Sequence, residues 1–171
     1  LDLKSDSIKI NNRKILTGIS EVIGEPGKEG ELCVAIDKLD KVGWEKVKEE
    51  LQQRGFTEGA IHKLLPIISL EVNNKEKIAF LETFLANSPI GLQGLNELQE
   101  VFEILSDFGE AEDHINFDVV LARGLSYYTG AIFEVKVHEV SIGSVGGGGR
   151  YDNLTGVFGL ENVSGVGFSF G

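Results

Sequence analysis

Several residue types that define whole classes of protein are scarce or missing in this sequence. Cys33 is the single cysteine among 171 residues, which excludes an internal disulfide and a zinc site built from cysteines. We expect Cys33 to be a free, buried thiol in a reducing compartment, the cytoplasm. The chain contains no methionine and no uninterrupted apolar run long enough to cross a bilayer. A soluble protein without a membrane partner is therefore expected.

Positive charge is also scarce, because 16 lysines and arginines face 27 aspartates and glutamates. The net charge of −11 argues against a protein that binds nucleic acid through a broadly basic surface, although a local contact to RNA stays open. Only four arginines occur, and two of them, Arg123 and Arg150, stand beside glycine. A guanidinium beside small residues suggests recognition of a carboxylate or phosphate, and a surface salt bridge is the alternative.

Two common phosphate-binding sequences are missing as well. The chain has no glycine-rich loop that ends in Gly-Lys-Ser or Gly-Lys-Thr, and "GVGFSFG" lacks the spacing of a dinucleotide fingerprint. It has instead four consecutive glycines, 146–149, followed directly by Arg150, Tyr151 and Asp152. Glycine loses more backbone entropy on folding than any other residue. A run of four in a folded domain therefore usually marks a place where a ligand approaches the backbone closely. A tight strand crossing is the alternative, above all at Gly146.

The first 110 residues or so have the pattern of helices. "IKINNRKILTGISEVIG" predicts a short strand ending at Ile10, followed by a helix that Asn11 or Asn12 can cap. "ELCVAIDKLDKVG" and "WEKVKEELQQRG" each predict a helix closed by a glycine. The apolar face of the first helix comprises Ile15, Leu16, Ile19 and Ile23.

Three further helices are predicted before the pattern changes. One begins after Thr57, carries Ile61, Leu64 and Leu65, and is disturbed at Pro66. Another spans roughly residues 75–86. "LQGLNELQEVFEILSDFG" has the clearest amphipathic period, and we interpret its apolar stripe as core. The stripe comprises Leu92, Leu95, Leu98, Phe102, Leu105 and Phe108.

From His114 onwards the apolar period changes to two, which is typical of strands. Helices grouped first and strands grouped last predict an α+β fold with an antiparallel sheet and a meander. The helical part would pack on one sheet face or stand as an insertion. The alternation places Ile132, Glu134, Lys136 and His138 on one side of a strand, and Phe133, Val135 and Val137 on the other.

Two segments of the strand-rich half resemble a known family. "LARGLSYYTGAIFEV" (residues 121–135, the first signature) and "GGGRYDNL" (residues 147–154, the second signature) resemble the histidine-specific signatures of histidyl-tRNA synthetases, which are class II aminoacyl-tRNA synthetases. "GVGFSFG" resembles the start of the third class II motif, and "IKINNRKIL" the strand and helix after the second. The resemblance implies an internal part of the catalytic domain. Its core strand and helix would occupy 1–28, a helical insertion 29–112, and the antiparallel part of the core 113–171.

The resemblance gives functional roles to residues of the first signature. Arg123 matches the family's catalytic arginine, which contacts the α-phosphate and the amino-acid carboxylate, where a fixed cation stabilises developing charge. Tyr127 and Tyr128 match tyrosines at the imidazole pocket, where a phenol can exchange a hydrogen bond with a ring nitrogen. Ser126 stands where the common family pattern has aspartate, so charge support from that position is lost.

The second signature would complete the histidine pocket. Gly147, Gly148 and Gly149 would form its floor, close to the substrate because no Cβ intervenes, and Tyr151 would line its wall. No metal site is expected, since a zinc site needs three or four ligands. Three histidines match no functional position of the family and are expected at the surface: His62, His114 and His138.

The resemblance implies an enzyme that activates histidine with ATP and transfers it to tRNA(His). ATP would be a substrate, Mg²⁺ is expected from the family, and no tightly bound cofactor is expected. The full-length protein is expected to be a homodimer. The chain on its own is expected to be inactive, because the first two class II motifs and the anticodon-binding domain are not in it.

Two other functions compete with this interpretation. A non-catalytic paralogue would bind histidine as a sensor or regulatory subunit, but such relatives tend to lose the arginine motif that "ARGLSYYTG" retains. Alternatively, "KLDKVGWEKVKEELQQR" could present lysines to the acceptor end of tRNA. Its alternating charges equally fit a solvated helix with ion pairs, which is the interpretation we prefer.

Overall fold

A computed structural model of the chain describes residues 6–109, 114–122, 127–137 and 144–170. The strands in these ranges are β1 (Asp6–Asn12), β2 (Ile115–Phe117), β3 (Ala131–Val137), β4 (Ser144–Tyr151) and β5 (Gly165–Phe170). They form one sheet in the order β2-β1-β3-β4-β5. Strands that are adjacent in the sheet can therefore lie far apart in the sequence.

Helices fill the long connection between β1 and β2. In the described ranges, no helix is long and apolar enough to cross a membrane. The helices are α1 (Arg13–Ile23), α2 (Glu29–Ile36), α3 (Leu39–Val42), α4 (Trp44–Gln53), α5 (Glu58–Ile68), α6 (Asn74–Phe84), α7 (Pro89–Asp107) and, after β4, α8 (Leu154–Val157).

The start of α1 follows from its first residues. The side chain of Asn12 accepts a hydrogen bond from the backbone N–H of Lys14 at 2.9 Å, which satisfies one of the free amides of the first turn. The strand before it runs two residues beyond the predicted end at Ile10. Gly24 closes the helix with φ 95°, a conformation that suits glycine. The predicted apolar face is confirmed as buried: Ile15, Leu16, Ile19 and Ile23.

Small residues allow α1 and α7 to pack at very short range. A Cβ added at Gly18 of α1 would lie 2.5 Å from the Cα of Gly91 in α7. A Cβ added at Gly94 would lie 2.7 Å from the Cβ of Lys14. These values are well below ordinary carbon contacts, so glycine is required for the two backbones to approach this closely.

The helices depart from the sequence predictions in three places. The segment predicted as one helix after residue 30 divides into α2 and α3. A disturbance is predicted at Pro66, but α5 continues through it to Ile68 and loses only the backbone hydrogen bond that the missing N–H cannot donate. Leu65 and Phe108 are 39% and 80% exposed and do not belong to the core. Phe108 is the C-terminal cap of α7, so it lies past the last turn that presents the apolar stripe.

The predicted α+β fold with a meander is confirmed. β3 is antiparallel to β1 and to β4, and β5 is antiparallel to β4. The prediction of antiparallel strands is wrong for β2, which has three residues and runs parallel to β1 with Ile8 opposite Ile115. A parallel pair requires a long crossover connection, and the helices between the two strands provide it.

The two faces of the sheet pack against different apolar clusters. Ile10 and Phe133 pack with the main apolar core, which includes residues from α1, α2, α4, α5, α6 and α7. Ile132, on the opposite face by strand alternation, forms a second apolar cluster with Leu121 and Tyr128. The predicted alternation of β3 therefore separates the helical core from the site described below; its last member, His138, lies outside the described residues. The domain boundaries given above stay a prediction.

Candidate functional site

Three aromatic rings from the two signatures lie together where β3 begins and β4 ends. The ring centroid of Tyr127 is 4.6 Å from that of Tyr128 and 6.2 Å from that of Tyr151. Tyr128 is 8% exposed, whereas Tyr127 is 38% exposed. We call these three residues the tyrosine cluster; it brings Tyr151 together with two residues more than twenty positions earlier in the sequence.

The glycines beneath the cluster give the tyrosine rings their room. A Cβ added at Gly149 would lie 2.8 Å from Cδ1 of Tyr128 and 2.6 Å from the carbonyl oxygen of Ala131. A Cβ at Gly167 of β5 would lie 3.1 Å from the hydroxyl oxygen of Tyr151. The tyrosines and the backbone are therefore in direct contact, which a side chain at either glycine would prevent.

Two of the remaining glycines of β4, Gly146 and Gly148, have a packing role on the sheet. Gly147 is buried and pairs with Glu134 and Ser169 of the neighbouring strands. A Cβ at Gly148 would overlap the carbonyl oxygen of Gly167, and one at Gly146 would lie 2.8 Å from Cζ of Phe168. Close strand packing, the alternative considered for Gly146, thus applies there and also at Gly148. Whether Gly147, Gly148 and Gly149 also form a pocket floor stays a prediction.

A network of hydrogen bonds ties the first signature to the second. The hydroxyl of Thr129 donates to Oδ2 of Asp152 at 2.7 Å and accepts from the backbone N–H of Asp152 at 3.0 Å. The backbone N–H of Thr129 donates to the carbonyl oxygen of Arg150 at 2.9 Å. The Thr129 hydrogen bond, followed by Arg150, holds the pKa of Asp152 below its ordinary value. The carboxylate of Asp152 is therefore bound on both oxygens.

Arg150 belongs to this network. Its Nε donates to Oδ1 of Asp152 at 2.9 Å, and its side chain is 53% exposed. A Cβ at Gly130 would lie 3.0 Å from Cδ of Arg150, so the arginine stem lies against the backbone there. The surface salt bridge considered as the alternative for Arg150 is thus present.

Arg123 lies outside the described residues, but the segment leading to it is well fixed. The fully buried Asn11 donates from Nδ2 to the carbonyl oxygens of Val119 and Leu121, both at 3.0 Å. Nη1 of Arg13 donates to the carbonyl oxygen of Ala122 at 3.1 Å. Sequence analysis did not assign these roles to Asn11 and Arg13. The available signal was that two asparagines, Asn11 and Asn12, stand at the end of a strand with apolar residues.

Cys33 is buried, as predicted, and contacts Arg13. Nη1 of Arg13 lies 3.0 Å from Sγ of Cys33. Burial raises the pKa of the Cys33 thiol to about 11, although the charge of Arg13 acts in the opposite direction. A thiol with this pKa stays protonated near neutral pH and is a poor nucleophile or metal ligand.

Metal ligands do not cluster in the part of the chain that the structure describes. No group of three or more histidine, cysteine, aspartate or glutamate side chains there could hold a metal ion. His62 and His114 are exposed, as predicted, and His138 lies outside the described residues.

Ion pairs account for charges in the helical region. Nζ of Lys38 and Nη2 of Arg54 lie 2.8 and 2.7 Å from the same oxygen of Glu50. The hydrogen bonds from Lys38 and then Arg54 lower the pKa of Glu50. This arrangement agrees with a solvated helix with ion pairs, the interpretation preferred above for this segment.

A second set of ion pairs joins the helical region to the sheet. Asp40 of α3 lies 3.2 Å from Nζ of Lys136 and 3.7 Å from Nζ of Lys9. Lys9 also pairs with Asp118 at 2.5 Å. Burial acts to lower the pKa of Lys9, but the hydrogen bond and charge of Asp118 outweigh it and raise that pKa. Charges on this face of the sheet are thus mutually neutralised.

The sequence and fold are similar to those of proteins with known names. A family model described as histidyl-tRNA synthetase matches residues 1–171. The histidine–tRNA ligase of Cytophaga hutchinsonii is 60% identical over 164 residues, which are 96% of this chain and 36% of that protein. The histidine–tRNA ligase of Phocaeicola vulgatus is 57% identical over 165 residues, with 96% and 36% coverage. The chain therefore spans little more than a third of the length of these curated relatives.

A solved structure has the same fold. The crystal structure of histidyl-tRNA synthetase from Nostoc sp. PCC 7120 matches with a TM-score of 0.91 and 32% sequence identity. The match covers 99% of this chain and 41% of the Nostoc chain. The helices between β1 and β2 are thus part of the shared fold, together with the sheet.

Proposed function

The chain belongs to the histidyl-tRNA synthetase family, and on that premise we propose that the full-length protein activates histidine with ATP and transfers it to tRNA(His). The observation that carries the proposal is the tyrosine cluster, which joins the first and second signatures in one place. The ring centroid of Tyr127 lies 4.6 Å from that of Tyr128 and 6.2 Å from that of Tyr151, so three phenol groups lie together beside the glycines of β4 and β5. Such a surface is suited to a flat, polar ring.

Recognition of histidine is assigned to the tyrosine cluster and the glycines of β4. A hydroxyl of Tyr127 or Tyr128 would exchange a hydrogen bond with an imidazole nitrogen, and Tyr151 would line the wall. Gly147, Gly148 and Gly149 would form the floor. A site built to bind a substrate N–H rejects analogues without that group by several orders of magnitude, because its own polar groups are then left unpaired.

Arg123 is assigned the catalytic role. Attack of the histidine carboxylate on the α-phosphorus of ATP forms the adenylate and releases pyrophosphate, with negative charge developing at the α-phosphate. A fixed guanidinium at that position would stabilise the developing charge. Asn11 and Arg13 would support this role, because they hold the backbone up to Ala122, the residue before Arg123.

ATP is proposed as a substrate and not as a resident cofactor. The described residues around the tyrosine cluster do not fit a dedicated Mg²⁺ site, because Asp152 is their carboxylate and both its oxygens are already engaged. Mg²⁺ commonly binds through substrate phosphates with few protein ligands.

The wider properties of the family are part of the same proposal. A class II catalytic core, a homodimer and a cytoplasmic location are what we infer for the full-length protein, with tRNA(His) as its macromolecular partner. A non-catalytic histidine sensor is less favoured, because curated relatives at 57% and 60% identity are named as ligases. "ARGLSYYTG" also retains the arginine that such sensors tend to lose.

The test is histidine-dependent exchange of pyrophosphate into ATP by the full-length protein. Exchange with histidine and with no other amino acid is expected. Arg123→Ala should slow adenylate formation at least about tenfold, the equivalent of about 1.4 kcal/mol of transition-state stabilisation. Arg54→Ala is the matched control, since Arg54 makes a surface ion pair with Glu50. Histidine binding without exchange by the wild type would identify a sensor, and normal exchange by Arg123→Ala would remove that residue from the active site.

The chain alone gives a second test. The 171 residues should not charge tRNA, because they span little more than a third of relatives that carry the name histidine–tRNA ligase. Measurable transfer of histidine to tRNA by the isolated chain would contradict the proposal that the reaction also needs parts of the protein outside these 171 residues.

A further inference from the structure

We propose that Thr129 and Asp152 are positioning residues that set the separation of Tyr128 and Tyr151, and thereby the affinity for the imidazole side chain of histidine. The inference rests on the function proposed above and extends it to two residues that have no role in binding or catalysis in that proposal. Neither residue is assigned contact with a substrate. Their effect is exerted through the neighbouring tyrosines.

The first argument is the position of the two residues in the chain. Thr129 directly follows Tyr128, and Asp152 directly follows Tyr151. Each of the two residues is the covalent neighbour of a tyrosine of the cluster. The hydrogen bonds between Thr129 and Asp152 therefore fix the backbones of the two tyrosines relative to each other. The backbone N–H of Thr129, which donates to the carbonyl oxygen of Arg150, adds a second polar link between the two signatures.

The second argument is the number and quality of the bonds. One hydroxyl serves both as donor, to Oδ2 of Asp152 at 2.7 Å, and as acceptor, from the Asp152 backbone N–H at 3.0 Å. The bond to the carboxylate is charge-assisted and therefore stronger than a neutral hydrogen bond. Arg150 then holds the other carboxylate oxygen at 2.9 Å. Hydrogen bonds to both carboxylate oxygens therefore hold the Asp152 side chain in one orientation.

The third argument is that the rings have little freedom on their other sides. Tyr128 lies on Gly149 and Tyr151 lies on Gly167, at the short distances given above. The strands therefore set the height of each ring above the sheet, while the bond between Thr129 and Asp152 sets the lateral spacing. A site held this way keeps its groups close to one geometry, as selective binding requires.

The experiment compares four variants of the full-length protein in histidine-dependent pyrophosphate exchange. Thr129→Val removes the hydroxyl and keeps the shape, Thr129→Ser keeps the hydroxyl, and Asp152→Asn keeps the shape but removes the charge. Thr83→Val is the matched control, because Thr83 is exposed and its hydroxyl donates to the carbonyl oxygen of Ala79 within its own helix. KM for histidine, KM for ATP and kcat are measured for each, and histidine binding is measured by calorimetry.

Thr129→Val should raise KM for histidine and the calorimetric Kd about tenfold, while KM for ATP changes by less than about twofold. Thr129→Ser should restore KM for histidine to within about threefold of wild type, and Asp152→Asn should raise it by about threefold or more. Thr83→Val should behave as wild type. This separation of the two KM values, with rescue by serine, is not expected from a general loss of stability.

Three outcomes would overturn the inference. Unchanged KM for histidine in both Thr129→Val and Asp152→Asn would do so, as would a parallel rise of KM for histidine and ATP. Failure of serine to restore histidine binding would do so as well. If Thr129→Val does not fold, Asp152→Asn and Thr129→Ser decide the question. A wild-type protein without histidine-dependent exchange would refute the proposed function itself, which is a distinguishable result.

Discussion

Substitution of Gly149 by alanine tests whether β4 requires glycine because the tyrosine cluster packs directly on it. The added Cβ would lie 2.6 Å from the Ala131 carbonyl oxygen, 2.8 Å from Cδ1 of Tyr128 and 3.0 Å from Cγ2 of Ile132. Carbon atoms normally rest about 3.5–4.0 Å apart, so the Tyr128 ring must move by roughly 1 Å. The Ala131 carbonyl belongs to β3 and cannot rotate away without disturbing the strand pairing.

The stability cost of this substitution follows from its location in a strand. Overpacking typically costs about 1–3 kcal/mol, and alanine gains no helix propensity at a strand position to offset it. We expect a loss of about 2 kcal/mol, which lowers the melting temperature of a domain of this size by about 4–8 °C. The displaced ring should also reduce histidine-dependent exchange by the full-length protein about tenfold or more, because displacements near 1 Å weaken catalysis strongly.

Thermal unfolding followed by circular dichroism measures the effect, with Gly156→Ala as the matched control. Gly156 lies in α8, and a Cβ added there meets nothing within 4 Å. The control should melt within about 1 °C of wild type, since exposed positions free of contacts change stability little. Equal melting temperatures for the two variants would refute the steric argument. Loss of stability with unaltered exchange would separate the packing role of Gly149 from the site.

Three further predictions concern other parts of the chain. Gly18→Ala should lower the free energy of unfolding by about 1–3 kcal/mol because its Cβ would approach Gly91, whereas Gly59→Ala, which faces open space, should not; equal denaturation midpoints would contradict this. The Cys33 thiol should react with a disulfide reagent at pH 8 only after unfolding, because its pKa is raised to about 11, and rapid labelling of native protein would contradict burial. The lowered pKa of Asp152 stabilises the folded protein at pH values above the pKa of about 3.9 in the unfolded chain, and this stabilisation is lost as the pH falls below that value. The melting temperature of Asp152→Asn should therefore depend less on pH than that of wild type between about pH 5 and 3. Parallel curves for wild type and variant would contradict this.

Local features of the fold could be predicted from the sequence. The cap at Asn12, the buried stripe of α1 and the α+β order of elements depend on residues within a turn or two of each other, and a periodic pattern reports them directly. The strand direction of β2 could not be predicted. It depends on a partner strand more than a hundred residues away, and three residues carry too little pattern to specify direction.

The candidate site divides in the same way. The two signatures contain the tyrosines of the cluster, and the structure brings Tyr127, Tyr128 and Tyr151 together. Their role in binding histidine stays a prediction. The hydrogen bond from Thr129 to Asp152 and the anchoring role of Asn11 had no specific local signal, because threonine, aspartate and asparagine are also common in turns and caps. Their partners exist only after the strands have paired.

The sheet order has a consequence for synthesis of the protein. In the chain β1 precedes both of its neighbours in the sheet, β2 and β3, and the partners of its Asn11 side chain follow 108 and 110 residues later. At a usual translation rate this interval is roughly 5–20 s, during most of which neither β2 nor β3 is available to pair with β1. An unpaired strand edge is a site of aggregation, so the time that β1 spends without these two strands is a risk during synthesis. A delay in translation between α1 and β2 is therefore expected to reduce the yield of folded protein more than an equal delay after β5.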